Sequence, residues 1–208
     1  MTEPIALRGL YAITPSDNLL PRLSALVASA LAGGVKFVQY RNKFAPAAMK
    51  RAQAAELLRI CRAADARLIV NDDLHLALEI GADGVHLGRD DGEIERARRE
   101  LGPGRLLGVS CYDDVARADA AAAAGADYIA FGSVFASATK PEATRASLDL
   151  LVATKRRLKL PIAAIGGITI NNVGQVIEAG ADMVAVITDL FDAMNIQERA
   201  AAYQRLFA

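Results

Sequence analysis

The feature that most constrains this 208-residue chain is a unit recurring along its whole length, a short apolar run followed by a segment of helical spacing. Three junctions are spelled alike: Gly81-Ala82-Asp83, Gly125-Ala126-Asp127 and Gly180-Ala181-Asp182. A glycine there can adopt the left-handed conformation that ends a helix, and an apolar run follows at once. Eight runs read as strands: "GLYAIT" (9–14), "KFVQY" (36–40), "RLIVN" (67–71), "GVHLG" (84–88), "LLGVS" (106–110), "YIAFGSVF" (128–135), "PIAAIGG" (161–167) and "MVAVIT" (183–188). They are nearly continuous rather than alternating, as parallel strands covered on both faces should be. Helical spacing follows each, for example over 19–34 and 47–64, and the last helix is "IQERAAAYQRLF". The repeat predicts one (β/α)8 TIM barrel over residues 1–208, at the short end of the size range. A doubly wound open sheet carries fewer strands and a Gly-x-Gly-x-x-Gly turn after the first, and "YAITPSDN" has no such turn.

The chain is 53% hydrophobic, enough for a sizeable core, and Lys+Arg and Asp+Glu are both 24. That balance leaves no electrostatic footprint for nucleic acid or an anionic membrane. No stretch is long and charge-free enough to span a bilayer. Two cysteines without a pairing pattern, and a start lacking the basic flank and apolar core of a signal peptide, point to the reducing cytoplasm. A homo-oligomer stays open.

Active sites of such barrels lie at the C-terminal ends of the strands. There the sequence gathers Gln39, Arg41 and Lys43, then Asn71, Asp72 and Asp73, then Asp90 and Asp91, Ser110, the segment Ser137 to Lys140, Gly166-Gly167, and Ile187-Thr188. Each has a bland reading. Arg41 and Lys43 could be solvated loop charges. One of Asp72 and Asp73 could cap the helix starting near Leu74. Gly166-Gly167 could be a tight turn, with Thr169 or Asn171 capping the next helix. Their placement around one mouth is harder to explain as decoration. Two aspartates on neighbouring strand ends suit Mg²⁺, a hard cation held by few carboxylates plus water and phosphate oxygens. Arg41, Lys43 and Lys140 supply charge against phosphate, and Asn71 and Ser110 add directional hydrogen bonds. A di- or polyphosphate is expected at the tip of the second strand. A second, monophosphate group is expected on loops six to eight, where barrel amides converge. Two anionic small-molecule substrates with Mg²⁺ imply group transfer with pyrophosphate leaving.

The ordered set "QYRNK", "NDD", "GVHLGRDD", "GVSC", "FGSVFASATK", "AIGGI" and "VAVIT" closely resembles the thiamine phosphate synthase family, over about Tyr11 to Phe191. The resemblance implies the joining of a pyrimidine methyl pyrophosphate to a thiazole phosphate through a dissociative step, with release of pyrophosphate. It places Gln39, Tyr40, Arg41, Asn42 and Lys43 on the pyrimidine pyrophosphate, together with Asn71, Ser110 and Lys140. It makes Asp72 and Asp91 the Mg²⁺ ligands. Ser137, Ala138 and Thr139, with Gly167, Ile187 and Thr188, fall on the thiazole phosphate. Arg41, Lys43, Ser110 and Lys140 are the expected catalytic groups. Asn42 stands where glutamate is common, and Ser137 where threonine is common. Cys111-Tyr112 is a looser match. The rival is the thiazole tautomerase, a similar barrel that carries a proton-transferring histidine where this chain has Ser133. His86 reads as a barrel-lining residue, and a non-catalytic regulatory barrel would not keep the whole polar ring.

Overall fold

Eight apolar runs bury both faces when they close on themselves under a coat of helices, and the computed structural model shows that solution. It describes residues 6–136 and 145–208. The strands are β1 (Gly9–Ile13), β2 (Phe37–Tyr40), β3 (Arg67–Asn71), β4 (Gly84–Leu87), β5 (Leu106–Tyr112), β6 (Tyr128–Phe131), β7 (Ile162–Ile165) and β8 (Met183–Val186). All pair in parallel with their sequence neighbours, and β8 pairs with β1 to close the barrel. The helices are α1 (Leu20–Ala32), α2 (Ala47–Ala63), α3 (Leu74–Ile80), α4 (Ile94–Leu101), α5 (Val115–Ala123), α6 (Leu148–Arg157), α7 (Val173–Glu178), α8 (Thr188–Phe191) and α9 (Ile196–Arg205). The expected (β/α)8 fold is therefore the observed one.

Successive side chains on a strand point to opposite faces, which divides the core into two layers. Tyr11, Phe37, Ile69, Tyr128 and Met183 fill the barrel interior. Leu10, Val38, Val70, Leu107 and Phe131, from the alternate positions, pack against the helices. β7 covers only 162–165 of the expected 161–167, and β8 only 183–186 of the expected 183–188. Two other strands differ from the sequence reading in ways that shape the mouth. β5 continues to Tyr112 through a bulge between Ser110 and Tyr112. β6 stops at Phe131, because the chain beyond it bonds to the end of β7 in a loop: Val134 N–H donates to Ile165 O and Phe135 N–H to Gly166 O, both at 3.0 Å.

The recurring Gly-Ala-Asp closes the N-terminal end of the barrel. Gly81 takes φ 68° at the end of α3, Gly125 and Gly180 take φ 83° and 98°, and the alanine after each is buried. The aspartate then reaches the preceding strand. The Asp83, Asp127 and Asp182 carboxylates accept from Leu68, Leu107 and Ile162 N–H at 2.9, 2.7 and 2.8 Å. Their own N–H groups donate back to the carbonyls of the same three residues. Arg67, Arg98 and Lys155 pair with these carboxylates. Asp127→Ala should remove a hydrogen bond that no neighbour replaces, lowering stability by about 1–3 kcal/mol in urea titration. The rate of the reaction at the opposite end should be unchanged.

Candidate active site

The ends of β3 and β4 bring two carboxylates together. Asp72 has φ 64°, left-handed for a residue with a side chain, and its N–H donates to His86 O at 2.8 Å. Such backbone costs on the order of 1–3 kcal/mol and persists where surrounding structure imposes it. Asp91 is held by Gly88 N–H, which donates to its Oδ2 at 2.7 Å. Desolvation, followed by a hydrogen bond and charge repulsion from Asp72, raises the Asp91 carboxyl above the usual carboxylate range. Two carboxylates sharing one site repel each other, a repulsion that a neighbouring cation relieves. Lys43 meets part of it, with Nζ 3.3 Å from Asp72 Oδ2. Asp73, next to the pair, spends its carboxylate as the cap of α3, accepting from Leu76 N–H at 2.9 Å. A cleft of about 180 Å³ opens beside Lys43, Asn71 and Asp72, with Lys50 on its wall.

Below the mouth a polar column crosses the barrel. Gln39 Nε2 donates to Tyr11 Oη at 2.8 Å, and Tyr11 and Tyr128 hydroxyls lie 2.8 Å apart. Tyr128 Oη is 3.1 Å from His86 Nδ1, and His86 Nε2 is 2.8 Å from Ser110 Oγ. Burial lowers the His86 pKa to about 4 and raises both tyrosines, so the column is uncharged near neutrality. His86 is the barrel-lining residue the sequence indicated.

Of the expected mouth residues, Gln39 and Ser110 belong to this column, Asn71 lines the cleft, and Asp72 meets both Asp91 and Lys43. Gly167, at φ 62°, lies against the loop after β6, where an added Cβ would fall 2.3 Å from Ala136 O. Ile187 and Thr188 open α8, and Asp189 Oδ2 accepts from Ile170 N–H, joining the loops after β7 and β8. Ser137, Ala138, Thr139 and Lys140 lie outside the described residues. The turn after β7 is shaped by Asn172 rather than Thr169 or Asn171: its Nδ2 donates to Gly167 O and its Oδ1 accepts from Thr169 N–H.

Tyr40 and Asn42 stand apart from the expected grouping. Strand alternation turns Tyr40 outward, where its hydroxyl donates to Gln53 Oε1 at 2.9 Å. Asn42 is buried, and its Nδ2 donates to Asp17 O and Gln53 Oε1 at 3.1 and 3.2 Å. Their side chains anchor the loop that carries Arg41 and Lys43. Two further residues went unnoticed in the sequence. Thr14 Oγ1 accepts from Arg41 N–H at 2.9 Å, fixing where that arginine leaves β2. Arg117, on α5, donates from Nε to Ser110 O and from Nη2 to Gly88 O, both at 2.7 Å, and so locks the tips of β4 and β5 together. An arginine inside an alanine-rich helix gives no local sign of this role.

Fold and cluster together define a closed (β/α)8 barrel with charged and polar side chains gathered at its C-terminal mouth. The family model for thiamine monophosphate synthase matches residues 10–190. The thiamine-phosphate synthase of Aromatoleum aromaticum is 55% identical over 201 residues, covering 97% of each chain. That of Thiobacillus denitrificans is 52% identical, over 96% of this chain and 95% of its own. A solved thiamine phosphate pyrophosphorylase from Pyrococcus furiosus superposes with a TM-score of 0.86 at 33% identity, covering 97% of this chain and 96% of that one. The chain belongs to the thiamine monophosphate synthase family.

The buried histidine makes stability depend on pH. Between pH 6.5 and about 4 the unfolded chain takes up a proton that folded His86 refuses. That uptake should remove about 3 kcal/mol of stability across the window as pH falls, and none of it above the window. Denaturant titrations at several pH values should show this loss in the parent and its absence in His86→Asn.

Proposed function

We propose that this chain joins a pyrimidine methyl pyrophosphate to a thiazole phosphate, giving thiamine phosphate and pyrophosphate, or to its carboxylated form, giving the same two products and carbon dioxide. The observation that carries the reading is near-full-length identity to thiamine-phosphate synthases combined with the Lys43–Asp72–Asp91 cluster at the mouth. In the reaction the carbon–oxygen bond to pyrophosphate breaks and its electron pair leaves with the pyrophosphate. The thiazole nitrogen then donates its lone pair to the pyrimidine methylene carbon. No base is required.

The chain's residues serve the leaving charge. Arg41 and Lys43 approach pyrophosphate from the loop after β2, with Lys140 assigned to the same charge. Asn71 and Ser110 direct hydrogen bonds at it. Gly167, Ile187 and Thr188 offer backbone amides and a hydroxyl to the thiazole phosphate. The paired carboxylates fit Mg²⁺: both are hard oxygen donors, and Asp91 is raised by desolvation and then by Asp72 beside it. Bound there, Mg²⁺ would supply charge to neutralise pyrophosphate. Among the described residues no helix is long and apolar enough to cross a membrane. Cys61 and Cys111 are buried and free, each pushed up to about 12 by burial, and we place the chain in the reducing cytoplasm. The tautomerase reading finds no support at Ser133, whose hydroxyl is committed to Phe135 O at 2.7 Å.

Incubating thiazole phosphate alone, then with the pyrimidine pyrophosphate and Mg²⁺, tests the reading directly. Thiamine phosphate and pyrophosphate should appear in equal amounts in the second tube only. Isomerised thiazole in the first and no pyrophosphate in the second would reassign the enzyme. Asparagine tolerates the left-handed backbone at position 72, so Asp72→Asn should keep stability within about 1 kcal/mol of the parent. Turnover should nonetheless fall on the order of 10²-fold or more, as for other groups acting on transition-state charge. Equal turnover of the two proteins under saturating Mg²⁺ would remove Asp72 from the site. Arg41→Lys should also be costly, because an ammonium cannot bind two phosphate oxygens in the fork of a guanidinium; a kcat matching the parent's would show that no such fork is used.

A further inference from the structure

Each hydroxyl in the buried column owns one hydrogen, and a neutral imidazole owns one N–H. A chain of such groups therefore has two consistent proton orders, running in opposite directions. The Gln39 amide nitrogen, 2.8 Å from Tyr11 Oη, selects one of them. With Tyr11 accepting from Gln39, its hydrogen goes to Tyr128 and the Tyr128 hydrogen goes to His86 Nδ1. The imidazole proton then sits on Nε2, which donates to Ser110 Oγ. The Ser110 hydrogen is left over, at the mouth.

We propose that this proton order makes Ser110 a fixed hydrogen-bond donor to a phosphate oxygen, with Gln39, Tyr11, Tyr128 and His86 as positioning residues acting through it. The proposal rests on the pyrophosphate reading of the mouth. Reversed, the column would aim an oxygen lone pair of Ser110 at an anion. The arrangement is also built sterically. A Cβ on Gly108 would fall 2.1 Å from Tyr128 Cζ and 2.6 Å from His86 Nδ1, so a residue without a side chain leaves room for their hydrogen bond.

The tautomer of His86 reports the order without any substrate. The chain has two histidines, and His75 is exposed, so ¹⁵N-histidine NMR near neutral pH separates them. The parent should show His86 protonated on Nε2. Tyr11→Phe, which cuts the column two groups away from the ring, should turn this into a mixture of tautomers. Protonation on Nδ1 in the parent would overturn the proposal, as would an unchanged Nε2–H form in Tyr11→Phe. Should that variant fail to fold, Gln39→Leu removes the donor at the head of the column and is judged by the same criterion. In the coupling assay Tyr11→Phe should lose about tenfold in rate, the scale of one oriented hydrogen bond. In a Ser110→Ala background it should cost nothing further, within about twofold. Additive losses would mean that the column does not act through Ser110. A parent that couples nothing would count against the proposed reaction, while the tautomer would still decide the proton order.

Discussion

Closure of the sheet is the constraint on which everything else rests. Once β8 pairs with β1, every second side chain on every strand faces an interior that solvent cannot fill. In an open sheet Tyr11, Gln39, His86 and Tyr128 could each turn to water. In the closed barrel they must satisfy one another, since an unpaired buried polar group costs about 1–3 kcal/mol. Their hydrogen bonds therefore form one connected column rather than separate pairs, and the column leaves the interior at Ser110, in the mouth.

The two ends of the barrel treat carboxylates in opposite ways. At the N-terminal end Asp83, Asp127 and Asp182 each find a backbone N–H and a cation, so their charge is fully used in holding the strands. At the C-terminal end Asp72 and Asp91 face each other, and among the described residues Lys43 is the cation paired with Asp72. The first arrangement stabilises the fold. The second is a local cost, as is the left-handed backbone of Asp72.

Much of the fold was legible because a strand covered on both faces leaves a continuous apolar run: "RLIVN" coincides with β3, and "MVAVIT" holds β8 and runs two residues past it. The same continuity hides the faces. With apolar residues on both sides, nothing local says that Gln39 points in while Tyr40 points out, or that Asn42 turns down onto Asp17 and Gln53. The "YIAFGSVF" run misled for a related reason. Val134 and Phe135 are apolar, but the chain has already left the sheet to bond with the end of β7. The aspartates and cations of the mouth could be read because charge at a strand tip is anomalous in a buried run. The tyrosine column could not, because Tyr11 and Tyr128 lie 117 positions apart and each passes as an ordinary core residue.

Arg117 shows how rigid scaffold and reacting mouth are joined. Its guanidinium spans the carbonyls of Gly88 and Ser110, so the tips of β4 and β5 cannot separate without breaking two charge-assisted hydrogen bonds. Gly88 N–H holds Asp91, and Ser110 Oγ meets His86, so this one side chain sets the spacing between the carboxylate pair and the polar column. Tyr112, left-handed at φ 58° just beyond the bulge, accepts from Arg89 N–H and closes the same corner from above. The loop after β2 is held differently, by Thr14 under Arg41 and by buried amides under Asn42, with Lys43 and Phe44 left exposed at its tip. Carboxylates and hydroxyl are thus fixed on one side of the mouth, while the cations extend from an anchored loop on the other.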